Sequence, residues 1–290
     1  MSRPPADSRQ LLAPGFTDTR VSRHITRIHD PRDVHMYLVT GRERALLVDT
    51  GYGVGDLAAF VTSLTDLPLT VVLTHGHIDH AFGASGLTDV HMHPADLPVL
   101  ARHQVASRRL HNAVRSAHAD TPGDAPAPVL APEVDPTRLV PLHDGERIGL
   151  GGLTVEVLEA PGHTPGSVAL LVEEERVLIT GDAANQLTFL FLPESSTLTS
   201  YAAMLERLTA RAARRYDRVL VSHGSGEITP TVLEDLRTLC ERVLAGDDDA
   251  VPFRFEDMGG LVARAVTRSH GDPGPPADDA PNIVYDPHRL

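Results

Sequence analysis

Three short runs of alternating and apolar residues, at 21–29, 34–41 and 44–51, open the patterned part of the chain. The turns between them, Asp-Pro-Arg-Asp and Gly-Arg-Glu-Arg, predict strands joined as hairpins or a meander. Residues 54–67 then place apolar side chains at helical spacing, and 69–75 begin with a continuous apolar run that reads as a buried strand. Strand, helix and strand in that order predict a layered α/β domain rather than an all-β barrel. Residues 95–118 predict a helix broken near Pro98, and the proline- and alanine-rich 121–137 an exposed loop. Strands resume through 139–182, followed by helices at about 198–215 and 229–245 on either side of a strand in 217–224. Two tail strands, at 262–269 and 282–286, flank a proline-rich linker. This gives a flexible arm over 1–20, a domain over 21–245 with an insertion at about 95–137, and a C-terminal extension over 246–290.

Composition narrows the function classes. The chain has 290 residues, enough for a substantial core. No apolar run approaches the ~18 residues that span a bilayer, and the N-terminal stretch lacks the apolar segment of a secretory signal. The single cysteine, Cys240, excludes a disulfide framework and a cysteine-based zinc site. A cytoplasmic protein with no membrane partner is expected. The formal charge of −13 argues against nucleic acid as a partner. The densest basic stretch, Arg207, Arg211, Arg214, Arg215 and Arg218, reads as the solvated face of a helix. All 26 basic residues are arginine, which excludes Schiff-base chemistry.

The stretch "VVLTHGHIDHAFGA" crowds His75, His77, Asp79 and His80 into six positions. A strand delivers the chain to this loop, at the end of the sheet where open α/β folds bind ligands. His75 and His77 are two apart and point the same way in an extended segment, while Asp79 and His80 sit at the start of the next helix. Imidazoles joined by a carboxylate suit zinc. Three later residues repeat the pattern of a strand end followed by a small or turn-forming residue: His163 in "APGHTPGS", Asp182 in "VLITGDAAN" and His223 in "VLVSHGSG".

In order and in surrounding turns, residues 21–228 resemble a metallo-β-lactamase-fold hydrolase, with "APGHTPGS" and "MHPADLPVL" similar to its glyoxalase-II-like branch. The resemblance implies a four-layer αββα sandwich of α/β class with an inserted helical segment. It implies two Zn2+ per chain, with Fe or Mn as alternatives. His75, His77 and His163 would hold one ion, Asp79, His80 and His223 the other, and Asp182 would bridge them. Asp49, in "LLVDTG", would orient a ligand histidine from beneath the metals.

The implied reaction is hydrolysis of an acyl bond by a metal-bridging hydroxide, with Asp79 as the catalytic side chain that ligates and fixes the attack direction. A small-molecule thioester or ester is the expected substrate. Leu187, Phe189 and Phe191, which follow Asp182 closely, are candidates to line its pocket, together with His35 near the first turn. Residues 95–137 offer a candidate lid or homodimer surface. His91, His93, His103, His111 and His118 read as structural or solvated. The alternatives are a mononuclear-iron persulfide dioxygenase of the same fold, which needs only two histidines and an aspartate, and a lactonase or β-lactamase-type hydrolase. The lactonase tyrosine is missing after Asp182, where Tyr201 is the first tyrosine, and a β-lactam carboxylate finds no lysine anchor.

Overall fold

The N-terminal hairpins build one side of a seven-stranded sheet whose strands lie in chain order. They are β1 (Thr17–Arg20), β2 (Ile25–Asp30), β3 (Val34–Thr40), β4 (Ala45–Val48), β5 (Leu69–Val72), β6 (Val90–Met92) and β7 (Val140–Pro141). The first four pair antiparallel and the last four parallel. A parallel neighbour needs a crossover, and α1 (Leu57–Leu64) supplies the one from β4 to β5. Asp56 caps it by accepting the Ala59 N–H at 2.9 Å. All four residues of β4 are buried, as expected of a central strand covered on both faces. Thr17–Arg20, in the stretch expected to be an arm, pair with β2 from Thr17 opposite His29 to Arg20 opposite Thr26. Four polar residues gave no apolar alternation by which to recognise that strand.

This computed structural model describes residues 15–30, 32, 34–105, 108, 131–255, 257–265 and 280–290. The chain forms two units, Met1–Leu142 with Ile148–Thr154, and His143–Arg147 with Val155–Leu290. In the first unit the predicted ligand loop follows β5 and enters a one-turn helix, α2 (Ile78–Ala81), with His77 at its N-cap. Within 95–118 the structure shows α3 (Leu97–His103). Pro98 starts that helix instead of breaking it, since a first-turn proline gives up no intrahelical hydrogen bond. Residues 109–130, with His111 and His118, lie outside the described residues.

The second unit contains most of a six-stranded sheet in the order β14-β13-β11-β10-β9-β8. These are β8 (Arg147–Gly149), β9 (Thr154–Glu159), β10 (Val168–Val172), β11 (Val177–Gly181), β13 (Arg218–Val221) and β14 (Glu227–Ile228). The helices α4 (Leu198–Ala212) and α5 (Val232–Leu244) bury one apolar stripe each. Leu198, Tyr201, Met204, Leu205 and Leu208 of α4 join Leu233, Leu236 and Leu239 of α5 in the core. Each buried aliphatic side chain contributes about 1.5–3 kcal/mol. Three of the arginines expected to be simply solvated do more: Arg211 pairs with Asp144 and Glu156, Arg215 with Glu156 and Glu173, and Arg218, in β13, with Glu227. A small four-stranded sheet completes this unit, ordered β12 (Leu187–Leu190), β17 (Asn282–Tyr285), β16 (Met258–Val262) and β15 (Val251–Phe255). β15 has no counterpart in the expected strands; of the strand expected at 262–269, Val262 ends β16, Ala263–Ala265 are not strand, and 266–269 lie outside the described residues. Alternate positions in Val-Pro-Phe-Arg-Phe are apolar, but a proline in so short a run reads as a break. No helix among the described residues is long and apolar enough to cross a membrane.

Candidate metal centre

The first unit assembles four of the expected ligands on one loop. Ligand atoms of His75 and His77 lie within 4.8 Å of one another, as do those of His75 and His80 and those of Asp79 and His80. His75 and His80 stack with ring centroids 4.0 Å apart, and His80 Nε2 lies 3.5 Å from Asp79 Oδ2. His75, His77 and His80 are buried.

A single carboxylate underlies this arrangement. Asp49, at the end of β4 and fully buried, accepts the Thr74 N–H at 2.7 Å and lies 2.8 Å from His80 Nδ1. The Thr74 hydroxyl donates to the same carboxylate at 2.8 Å and lies 3.1 Å from His75 Nδ1. Since the hydroxyl proton is committed to Asp49, His75 Nδ1 must donate to Thr74 Oγ1. Both histidines thereby carry their proton on Nδ1 and present the Nε2 lone pair, the atom a metal needs. Asp49 has φ of 62°, in the left-handed region that non-glycine residues rarely enter. Strain of this kind persists only where the surroundings over-determine it, and here three donors, the Thr74 N–H, the Thr74 hydroxyl and His80 Nδ1, do so. The Thr50 N–H and hydroxyl donate to the His80 carbonyl at 2.7 and 2.8 Å, fastening α2 to the end of β4.

The second unit brings the remaining three together. Asp182 Oδ2 lies 3.7 Å from His163 Nε2 and 3.3 Å from His223 Nε2, so one oxygen serves two imidazoles. Its other oxygen, Oδ1, accepts from the Asn185 side-chain amide at 3.2 Å. His163 Nδ1 donates to the Phe189 carbonyl at 2.8 Å, which again leaves Nε2 as the ligating atom. A register shift between β11 and β13 at Ile179 and Gly181 turns the chain just before Asp182.

Several supports gave no sequence signal. Asp96, fully buried before α3, accepts the Gly76 N–H between His75 and His77 at 2.7 Å. Gly76 must be glycine, since a Cβ there would lie 2.9 Å from both the Asp96 carbonyl oxygen and the Leu100 nitrogen. His103, read as a bystander, stacks on His77 at 4.6 Å. The Ser195 hydroxyl donates to the His163 carbonyl at 2.9 Å. Tyr201 is buried, its hydroxyl on the Ala183 carbonyl at 2.7 Å, and burial pushes its phenol well above the usual range. It braces the turn after Asp182 from the core side. Among the pocket candidates, Leu187, Phe189 and Phe191 share one cluster with Phe253. His35 lies in β3 of the first unit, buried, with its ring 4.9 Å from that of His29.

Residues 29–224 match the family model of the metallo-beta-lactamase superfamily. The chain belongs to that superfamily. By family and by its groups of His and Asp donors, this chain is a metal-dependent hydrolase. It is 30% identical over 206 residues to the bovine (Bos taurus) acyl-coenzyme A thioesterase MBLAC2, covering 65% of this chain and 72% of that protein. The chicken (Gallus gallus) protein of the same name is 28% identical with the same coverage. A solved metallo-beta-lactamase from Pontibacter korlensis shares the fold with a TM-score of 0.54 and 20% identity, over 78% of this chain and 99% of that one.

Proposed function

We propose that the chain is a dinuclear metallohydrolase that cleaves a small acyl thioester or ester. His75, His77 and His163 would hold one ion and Asp79, His80 and His223 the other, with Asp182 shared between them, and with Zn2+ favoured and Fe or Mn as alternatives. The observation that carries the reading is Asp182 Oδ2 facing two imidazole nitrogens at 3.3 and 3.7 Å. The donor set fits: borderline nitrogen and oxygen ligands, the rings of His75, His80 and His163 with Nδ1 already engaged, and no cysteine among them. Bound there, two such ions lower the pKa of a shared water towards neutrality and polarise a carbonyl oxygen.

The protein's own side chains do the rest. Asp79 accepts a hydrogen bond from the attacking water and fixes its direction. Asp49 holds His75 and His80 in one tautomer throughout turnover. Leu187, Phe189, Phe191 and His35 contribute to the pocket. A thiolate departs with little need of a proton, which suits a chain with no lysine. Two relatives bearing the name acyl-coenzyme A thioesterase support the choice of thioester. A lone, buried cysteine suits the cytoplasm.

The test is kcat/KM for one thioester, ester, β-lactam and phosphodiester at equal, measured metal loading. The thioester or ester is expected to lead. A β-lactam or phosphodiester turned over ten-fold faster than both, about 1.4 kcal/mol of transition-state preference, defeats the proposal.

A further inference from the structure

Four of the chain's seven phenylalanines, Phe189, Phe191, Phe253 and Phe255, gather on the small sheet of the second unit. The Phe189 ring lies 5.2 Å from that of Phe191 and 5.6 Å from those of Phe253 and Phe255. β12 and β15 are the two edges of that sheet. Three strand spacings would hold flat edges about 14 Å apart. The sheet is therefore curled, with rings from both edges meeting inside the curl. Gly260 permits it, because a Cβ there would lie 3.1 Å from Phe191 Cβ and 2.9 Å from the Tyr285 carbonyl oxygen.

The floor of this bowl is dry and its rim is not. Phe191, Phe253, Val262 and Val284 are buried, whereas Leu187, Phe189, Val251 and Met258 are only partly so and Phe255 is 41% exposed. The rim is also continuous with the metal-ligand turn. The Phe189 carbonyl that accepts from His163 Nδ1 belongs to the residue whose ring joins Phe255. Five rim side chains are too few for a stable protein interface, which uses 20–30 residues a side. They suit a single apolar chain, which loses its hydration against ring faces and a thioether without needing a hydrogen-bond partner.

We infer that this rim binds the acyl chain of the substrate, and that Phe189, Phe255 and Met258 set a preference for unbranched apolar chains. The inference rests on the acyl-hydrolase reading above. Its test uses the metal-supplemented full chain and straight-chain N-acetylcysteamine thioesters from acetyl to dodecanoyl. In the unsubstituted protein kcat/KM should rise about four-fold per methylene until the rim is covered. Phe255→Ser and Met258→Ser should each cut the dodecanoyl-to-acetyl ratio at least ten-fold. That ratio is internal to each preparation, so a partly unfolded variant does not mimic the effect. A flat series, or ratios unchanged within two-fold in both variants, overturns the inference. Calorimetric binding of dodecanoate separates the two readings. If no thioester or ester is cleaved but Phe255→Ser weakens dodecanoate binding ten-fold, the hydrolysis reading fails and the chain site stands. A dimer in sedimentation that Phe255→Ser dissociates, with the ratio unchanged, assigns the rim to a second copy and overturns it.

Discussion

The buried carboxylate of Asp96 accepts the backbone N–H of Gly76 at 2.7 Å, fixing the one residue that separates His75 from His77. Two imidazoles can converge on one point only if the peptide between them is held. Asp96→Ala leaves that N–H unsatisfied at a cost of about 1–3 kcal/mol and lets the loop shift. Metal affinity should fall 10–100-fold, the range typical for the loss of an outer support. Asp96→Asn, which keeps an acceptor oxygen, should recover most of it. Competition with a chromophoric chelator measures this, and equal affinities for wild type and Asp96→Ala would remove the role.

Asp49 supports two histidines at once, so its variants should separate hydrogen bonding from backbone conformation. Asn tolerates the left-handed region, and Asp49→Asn should fold while losing 10–100-fold in activity, its amide being unable to accept all the bonds the carboxylate accepts. Asp49→Val adds a β-branched side chain at φ of 62° and should also lower the melting temperature by several degrees. Full activity in Asp49→Asn would show that the two imidazoles hold their orientation without it.

Removing metal should abolish turnover. Dialysis against a strong chelator is expected to give inactive protein, restored by about two equivalents of Zn2+ per chain, and Asp182→Ala should lose both activity and paired occupancy. Elemental analysis after supplementation provides the count. A single ion at full activity would contradict the bridging role of Asp182.

Cys240 is the only thiol, and burial pushes it up to about 12 from an ordinary value near 9. It is therefore protonated at working pH, and Cys240→Ala should retain near-normal activity. The same shift gives a pH signature. The folded protein keeps this proton where the unfolded chain loses it, so the contribution is complete below about pH 9 and is lost as pH rises towards 12. Stability should drop in that window with a component of about 1.4 kcal/mol per pH unit that Cys240→Ala removes. Denaturation at pH 8, 9.5 and 10.5 measures it, and identical slopes in the two proteins would exclude the thiol as its source.

How much of this was legible depends on whether the information is local. The spacing of His75, His77, Asp79 and His80 brings them together through one strand end and one turn of helix, so the sequence announces their proximity. The strands 34–40 and 69–72 and the helices 198–212 and 232–244 likewise follow from apolar periodicity. Asp96, Thr74 and the Phe189 carbonyl act across 20, one and 26 positions through a backbone group or a hydroxyl, and no periodicity marks them. The rings of Phe253 and Phe255 were equally silent, since Pro252 hid β15 and the ring they meet, that of Phe189, lies over 60 residues upstream.

The parallel pairing of β12 with β17 joins Leu187–Leu190 to Asn282–Tyr285 across a long sequence separation. Phe189, which anchors the His163 ring through its carbonyl, sits opposite Val284 in that ladder. On a ribosome, residues 75 to 223 are made well before residue 284 emerges, at about 5–20 residues per second. His163 therefore exists as sequence for several seconds before the strand that backs its anchor can dock. The ladder behind the His163 anchor is thus a late-closing contact, because pairing across so long a separation carries a large loop-closure cost.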